Sequence, residues 1–158
     1  MRQIRVYTDT SVFGGVQDEE FRPASEAFFE QVLRGRYLLV ISEVTLAELS
    51  GAPDNVRQRF LSLPADRIVQ APINEEVERL ASAYVAAGIL GPARRADALH
   101  VAAATVFGAD VIVSWNFRHI VNYDRIRQFN GVNSLNGYDE LEVRSPLEMR
   151  HADEDETI

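Results

Sequence analysis

The segment that decides the fold is residues 37–49, YLLVISEVTLAEL, in which a strand pattern passes directly into a helix pattern. A strand is predicted over residues 37–42, because aromatic, aliphatic and β-branched side chains in succession are typical of a strand buried on both faces of a parallel sheet. Ser42 suits the N-cap of the helix that follows, and Gly51 and Pro53 end that helix. The segment therefore predicts a strand–helix unit of an α/β protein.

The same alternation runs through most of the chain. Further strands are predicted at residues 4–9, 67–70, 110–115 and 141–144, and further helices within 23–35, 54–61, 74–88, 93–107 and 122–129. Asn74 suits the N-cap of the helix over residues 74–88. This order predicts a mostly parallel sheet with helices on both faces. We expect residues 1–150 to form one domain and the acidic residues 151–158 to be a disordered tail.

The composition excludes several kinds of site. All 16 basic residues are Arg and there is no Cys, so lysine Schiff bases, phosphate-loop lysines, thiol nucleophiles, disulfides and thiolate metal sites are excluded. The net charge of −8 argues against a general nucleic-acid coat protein, but residues 92–133 carry five Arg and three acidic residues. One basic segment therefore lies within an acidic chain.

No stretch of the sequence predicts a membrane or export segment. The amino terminus enters a strand pattern without an apolar signal core, and the apolar residues 98–107 include His100 and are too few to span a bilayer. Together with the lack of Cys, this favours a cytoplasmic protein.

Four polar residues fall near the carboxyl ends of the predicted strands. Asp9 ends the first strand, Glu48 lies in the helix after the second, Asp97 opens the helix of residues 93–107, and Asn116 follows the fourth strand. Ligands of open parallel sheets collect at this edge. Asp9 and Asp97 also have simpler interpretations, as a cap and as a helix-dipole partner, whereas Glu48 among apolar residues is costly unless it is paired or metal-bound.

Oxygen donors in this number favour a metal site. Three carboxylates at one edge repel one another unless a cation lies between them, and hard oxygen ligands suit Mg²⁺ or Mn²⁺. Carboxylate-held ions are a common means of activating water for phosphodiester hydrolysis. The four residues therefore predict a metal-dependent hydrolase site.

Four sequence blocks in order resemble the motifs of PIN-domain nucleases, and most closely those of VapC-like toxins. The blocks are residues 9–15 (DTSVFGG), Glu48 before Leu49, residues 97–100 (DALH) and residues 114–117 (SWNF). The resemblance implies a three-layer α/β/α PIN-like fold with a five-stranded sheet, and a Mg²⁺- or Mn²⁺-dependent endoribonuclease. It also implies an RNA substrate, a small cognate antitoxin that blocks the site, and a homodimer.

Carried over residue by residue, the resemblance makes Asp9, Glu48 and Asp97 metal ligands. Asn116 stands where many members of the family have Asp, so the charge of the site is lower by one and binding of a second metal is in question. An Asn still offers a carbonyl oxygen to a metal or to a metal-bound water.

Weaker candidates surround these four residues. Those that could contact substrate are Ser11, Arg94, Arg95, Arg118 and His119. The planar guanidinium of Arg suits phosphate, whereas Ser11 could equally cap the turn. His100 follows Asp97 by one helical turn and is expected more as a core histidine than as a site residue.

Two other functions are alternatives to the nuclease. A phosphatase with Asp9 as nucleophile needs a second Asp two positions on and a Lys, but Ser11 occupies that position and Lys is absent. A catalytically degenerate PIN-like domain that binds RNA or protein is the stronger alternative, because of Asn116.

Overall fold

A computed structural model describes residues 3–149, so the predicted acidic tail of residues 151–158 lies outside the described part. The strands are β1 (Ile4–Thr8), β2 (Tyr37–Ile41), β3 (Ile68–Gln70), β4 (Val111–Val113) and β5 (Glu142–Arg144). The helices are α1 (Thr10–Gly14), α2 (Arg22–Leu33), α3 (Glu43–Ser50), α4 (Asp54–Leu61), α5 (Glu75–Ala86), α6 (Arg95–Phe107) and α7 (Tyr123–Leu135). Each predicted strand is present, and most are shorter than predicted.

The strands form one sheet in the order β3-β2-β1-β4-β5, and every pair of neighbours is parallel. The chain builds outward from β1 to β3 and then returns to the other side of β1 to form β4. Strand order therefore reverses between β1 and β4, which is where open parallel sheets form a crevice for ligands.

Alternate residues of the strands face two separate hydrophobic cores. Val6 and its neighbour Leu39 pack with α1, α2, α3 and α4, whereas Tyr7 and Val40 pack with α5, α6 and α7. This period of two is the expected geometry of a strand covered on both faces. The predicted three-layer α/β/α architecture is confirmed.

Helix caps were predicted well and helix lengths less well. Ser42 caps α3 and Asn74 caps α5, as expected. Asn122 caps α7, but this helix continues to Leu135 rather than ending at Phe129, because Phe129 and Asn133 are both buried and hold its second half against the domain. No helix within residues 3–149 combines the length and hydrophobicity needed to cross a bilayer.

The short helix α1 is the element that the sequence predicted least well. The sequence predicts no helix over residues 10–14, yet they form a helix that runs into a 3-10 helix at Gly15–Gln17. Gly15 is required there, because a Cβ would collide with Ser25 Oγ and Trp115 Nε1. Those two atoms hydrogen-bond at 2.8 Å, so the packing fixes the path of the chain after Asp9.

Candidate active site

The site begins where β1 and β4 end side by side. Thr8 pairs with Val113, so the residues that follow them, Asp9 and Ser114, leave the sheet together. The Ser114 hydroxyl donates to Asp9 Oδ2 at 2.7 Å. The reversal of strand order has thus brought one predicted site residue against a serine 105 positions later in the chain.

Asp9 is the most enclosed of the carboxylates. It is 5% exposed and caps α1, with Oδ1 accepting from the Ser11 backbone at 3.1 Å and from the Ser11 hydroxyl at 2.6 Å. Burial raises the pKa of Asp9, and the positive charge of His100 and the hydroxyl hydrogen bonds oppose that rise only in part. Asp9 therefore both caps α1, as the simpler interpretation predicted, and presents a carboxylate at the sheet edge.

The serines that hold Asp9 are themselves held by the segment after β4. The Trp115 backbone N–H donates to Ser11 Oγ, and the Asn116 backbone N–H donates to Ser114 Oγ, both at 2.9 Å. Each hydroxyl thus has an acceptor for its proton and a donor to its oxygen. Ser11 has a structural role here, which was one of its two predicted alternatives.

Glu48 projects from α3 toward α6. Its Oε1 accepts from His100 Nε2 at 2.6 Å and from Thr10 Oγ1 at 2.9 Å, and its side chain is 39% exposed. Partial burial acts to raise the pKa of Glu48, but the hydrogen bond and charge of His100, with the Thr10 hydrogen bond, outweigh it, and the pKa is lowered. Glu48 is therefore paired, as the cost of a carboxylate in that helix required.

Glu48 is the outer end of a chain of hydrogen bonds that runs into the core through His100, Tyr7 and Ser42. His100 is 1% exposed, its Nδ1 lies 2.8 Å from the Tyr7 hydroxyl, and that hydroxyl lies 2.8 Å from Ser42 Oγ. Because a carboxylate only accepts, Nε2–H donates to Glu48, and Nδ1 and the Tyr7 hydroxyl form the next hydrogen bond of the chain. Burial raises the pKa of Tyr7, so its hydroxyl stays protonated. His100 is thus a buried residue, as expected, and also a contact of a candidate site residue.

Asp97, in the first turn of α6, is half-buried and hydrogen-bonds to no other side chain within residues 3–149. Burial raises the pKa of Asp97; His100, His119 and Arg94 oppose this rise, and the negative charge of Glu48 adds to it. Glu48 also adds to the raised pKa of Asp9. Glu48 therefore repels both of the other carboxylates, and His100 acts on all three.

Asn116 lies beside this cluster but its carbonyl oxygen already has a partner. Oδ1 accepts from the His119 backbone N–H at 2.9 Å, which closes the turn after β4. The Asn116 backbone N–H reaches Ser114, so the residue is one serine away from Asp9. Its capping role explains why an Asn suits this position structurally.

The predicted substrate-binding residues divide into two groups. Arg94, Arg118 and Asp97 all act on the pKa of His119, which burial and Arg94 lower, so these charges lie on the Asp97 side of the site. His119 Nε2 is buried and has no hydrogen-bond partner within residues 3–149. Arg95 instead contacts α5, through the Ser82 hydroxyl at 3.2 Å and the Glu78 carbonyl at 3.4 Å.

The donor chemistry fits a hard divalent cation, although the carboxylates are engaged with other partners. Within residues 3–149, no three His, Asp or Glu side chains are arranged as a metal-binding group. Asp9 is held by hydroxyls and Glu48 by His100 and Thr10, whereas Asp97 is not held by a side-chain hydrogen bond. Mg²⁺ or Mn²⁺ would bind these carboxylate oxygens and would offset the repulsion between their charges.

Sequence reasoning missed three contacts of the site. Tyr7, Thr10 and Ser114 hold His100, Glu48 and Asp9, respectively, and none had been singled out. Tyr7 and Ser114 do lie at strand ends beside predicted site residues, which was the available signal. Their partners are 93 and 105 residues away in the chain, so only the topology reveals the contacts.

Comparison with known proteins finds relatives among solved structures only. No family model matches the chain, and no curated protein sequence matches it significantly. One chain in the structure of VapBC2 from Rickettsia felis bound to a promoter DNA fragment aligns with a TM-score of 0.57 and 14% identity, over 90% of this chain and 98% of that one.

Two further structures give the same result. FitAcB from Neisseria gonorrhoeae aligns with a TM-score of 0.55 and 16% identity, over 90% of this chain and 98% of that one. FitAB bound to the IR36 DNA fragment aligns with a TM-score of 0.52 and 17% identity, over 89% and 94%. At this identity the likeness shows a shared fold, and it confirms the predicted PIN-like fold and the resemblance to VapC-like proteins at that level.

Proposed function

We propose that this chain is a divalent-metal-dependent endoribonuclease that hydrolyses RNA phosphodiester bonds. The observation that carries the proposal is the convergence of Asp9, Glu48 and Asp97 around His100, beside the point where strand order reverses. Carboxylates that repel one another destabilise the fold unless they bind something positive. A cation-dependent reaction is the function that best explains this arrangement.

Mg²⁺ or Mn²⁺ would be held by Asp9, Glu48 and Asp97, with Asn116 offering its amide. When bound, such an ion lowers the pKa of a bound water and neutralises charge on the scissile phosphate. The protein's own part is positioning: Ser11 and Ser114 orient Asp9, and His100 and Thr10 orient Glu48. Partners of this kind set the orientation and basicity of metal ligands.

Arg94, Arg118 and His119 are proposed to hold the RNA backbone next to the carboxylates. Arg94 and Arg118 are exposed, and both are close enough to His119 to influence its pKa. A guanidinium group can donate two parallel hydrogen bonds to one phosphate. The acidity of the whole chain does not oppose this, because Arg94 and Arg118 lie in the same basic segment as Asp97 and Asn116.

We further propose that the chain is the toxin of a toxin–antitoxin pair, acting in the cytoplasm as a homodimer with a small cognate antitoxin. The support is the fold shared with chains of VapBC2 and FitAB, whose structures include promoter or IR36 DNA fragments. Co-purification of a small protein encoded next to this chain's gene is the expected result. Purification of the chain alone from its native operon would contradict the pairing.

The direct test is cleavage of total RNA by purified protein with the cut positions mapped. We expect cleavage in Mg²⁺ or Mn²⁺, none in excess EDTA, and none by the Asp97→Asn variant. Arg95→Gln is a matched control, since Arg95 contacts α5. Cleavage that persists in EDTA or in Asp97→Asn would overturn the mechanism.

One observation favours a second function. The Asn116 amide oxygen already accepts from the His119 backbone, so only its second lone pair remains for a metal. A catalytically degenerate PIN-like domain that binds RNA or protein would have this property. Calorimetry with Mn²⁺ separates the two, because a binding module has no need of the metal.

A further inference from the structure

Two large aromatic side chains are exposed next to the candidate site. Phe117 follows Asn116 in the loop after β4 and is 45% exposed, and Tyr123 begins α7 and is 71% exposed. Asn122 joins the two positions, because its Nδ2 donates to the Phe117 carbonyl at 2.9 Å and its Oδ1 accepts from the Arg125 backbone at 2.9 Å. Asn122 therefore holds the loop that carries Phe117 against the start of the helix that carries Tyr123.

The surface is supported from beneath. The Phe117 ring lies edge-on to Trp115 and to Phe21, with centroids 6.1 and 6.4 Å away, and Trp115 stacks on Phe21 at 4.1 Å. Tyr123 carries the Arg127 guanidinium 5.6 Å from its ring centroid. Phe117 is thus packed on one side and open on the other, which is the form of a platform rather than of a core residue.

Positive charge surrounds these rings. Arg118 and Arg127 are exposed beside Phe117 and Tyr123, and they belong to the basic segment of residues 92–133. Arg118 is also within electrostatic reach of His119, which in turn interacts with Asp97. Flat apolar faces with guanidinium groups between them match a strand that offers bases and phosphates in alternation.

We propose that Phe117 and Tyr123, flanked by Arg118 and Arg127, form a stacking surface for unpaired bases of a single-stranded RNA. The surface would select RNA whose bases are free, and it would lead the strand past Asn116 to the carboxylates. The inference rests on the proposed nuclease function and adds a substrate class to it. Paired bases are inaccessible to stacking on side chains, so duplex RNA fits this surface poorly.

Binding to a labelled oligonucleotide tests the surface without catalysis. The probe is a fluorescein-labelled 12-nucleotide single-stranded RNA of mixed sequence, measured by anisotropy in EDTA, with the same strand annealed to its complement for comparison. Stacking is worth about 1–3 kcal/mol per base, so we expect Phe117→Ala and Tyr123→Ala each to weaken binding about 5- to 150-fold. Tyr123→Phe should bind like the wild type, because it keeps the ring.

Two controls address folding and location. Leu135→Ala removes an 88% exposed apolar side chain at the far end of α7 and should leave the affinity unchanged. Phe117→Leu keeps apolar contact with Trp115 but lacks a flat ring, so it should bind as weakly as Phe117→Ala while unfolding at the wild-type temperature. The inference is wrong if the alanine variants bind normally, if the wild type does not bind, or if it prefers the duplex.

The assay also separates this inference from the proposed function. If the wild type cleaves RNA in Mn²⁺ while the alanine variants keep full affinity for the probe, the function stands and the stacking surface is overturned. If the wild type never cleaves but the alanine variants lose affinity, the surface stands and the nuclease proposal fails. Loss of a dimer in light scattering, with RNA affinity unchanged, would assign the surface to a second copy and overturn the inference.

Discussion

The two halves of the candidate site are built differently. Asp9 is almost fully buried, and both of its oxygens accept hydrogen bonds from serines. Glu48 and Asp97 form a more open half, in which one carboxylate is held by His100 and Thr10 and the other is not held by a side-chain hydrogen bond within residues 3–149. The fold fixes Asp9 in the buried half. The side chains of the open half are held less tightly, so they can move more than Asp9 when a ligand binds.

The largest effect is expected at the buried half. Asp9→Asn keeps the side-chain shape and the cap on α1 but removes the charge that a metal needs. Loss of a ligand removes several kcal/mol of transition-state stabilisation, so cleavage should fall at least about 1000-fold. Single-turnover cleavage in Mn²⁺ measures this, with circular dichroism to show that the variant is folded. A variant that keeps a tenth of wild-type activity would place the metal elsewhere.

His100 tests how the open half is held. His100→Ala frees Glu48 from its 2.6 Å partner and leaves the Tyr7 hydroxyl with Ser42 alone, so we expect Mn²⁺ affinity to fall about 10- to 100-fold. His100→Gln retains an N–H donor of similar reach and should recover part of the affinity. Isothermal calorimetry gives both values. Equal affinities for wild type, Ala and Gln would show that His100 is only a core residue.

Ser114 tests how the buried half is held. Ser114→Ala leaves Asp9 Oδ2 and the Asn116 backbone N–H without their partner, and an unsatisfied buried polar group costs about 1–3 kcal/mol. At roughly 2–4 °C per kcal/mol, the unfolding temperature should fall by several degrees. Ser50→Ala, an exposed serine, is the matched control. If Ser114→Ala lowers the unfolding temperature less than Ser50→Ala does, then Ser114 does not hold Asp9 in place.

The sequence predicted features that depend on neighbouring residues, and it missed those that depend on residues distant in the chain. Caps such as Ser42 and Asn74 are local, since the side chain bonds within three residues, and both were predicted. Asp9 and Asn116 were placed at the right edge because parallel strands share a direction. The supports of the site, Tyr7 and Ser114, depend on strand register and on contacts about a hundred residues away, which periodicity does not encode.

The length of α7 was missed for a related reason. Its apolar spacing weakens after Phe129, and Asn133 is a polar residue that the pattern counts as exposed. In the structure Asn133 is buried and accepts a hydrogen bond from Tyr84 on α5. A tertiary contact therefore extends the helix where local propensity did not require it.

The charge on Asp97 gives a pH prediction for the metal-free protein. The pKa of Asp97 is raised in the folded state, so stability is lost as pH rises from its ordinary value of 3.8 through the folded value. In EDTA at pH 7, Asp97→Asn should therefore unfold at a higher temperature than the wild type, by roughly 1–2 °C because solvent screens a half-buried group.

The same comparison has two checks. The difference between variant and wild type should vanish as the pH falls well below 3.8, where the carboxyl is protonated in both the folded and the unfolded state. In excess Mn²⁺ the order should reverse, because only the wild type gains stability from metal binding. An Asp97→Asn variant that is less stable than wild type in EDTA at pH 7 would mean that a favourable partner, not burial, governs this carboxyl.

The smallest effect is expected at Asn116, which lies between the two halves. Asn116→Asp retains an oxygen for the His119 backbone N–H and adds a carboxylate one serine away from Asp9. Cation affinity rises with the number of charged ligands, so Mn²⁺ should bind about 2- to 10-fold more tightly. In EDTA the added repulsion should lower the unfolding temperature slightly.

Asn136→Asp is the control for charge alone, because it adds the same charge at the C-terminal end of α7, about 20 Å along the helix from Tyr123. Calorimetry should find its Mn²⁺ affinity within about twofold of wild type. If Asn116→Asp binds Mn²⁺ no better than Asn136→Asp, then Asn116 serves the turn after β4 and not the cation. The metal would then be held by the three carboxylates alone, and Asn116 would act only as a structural cap of the turn after β4.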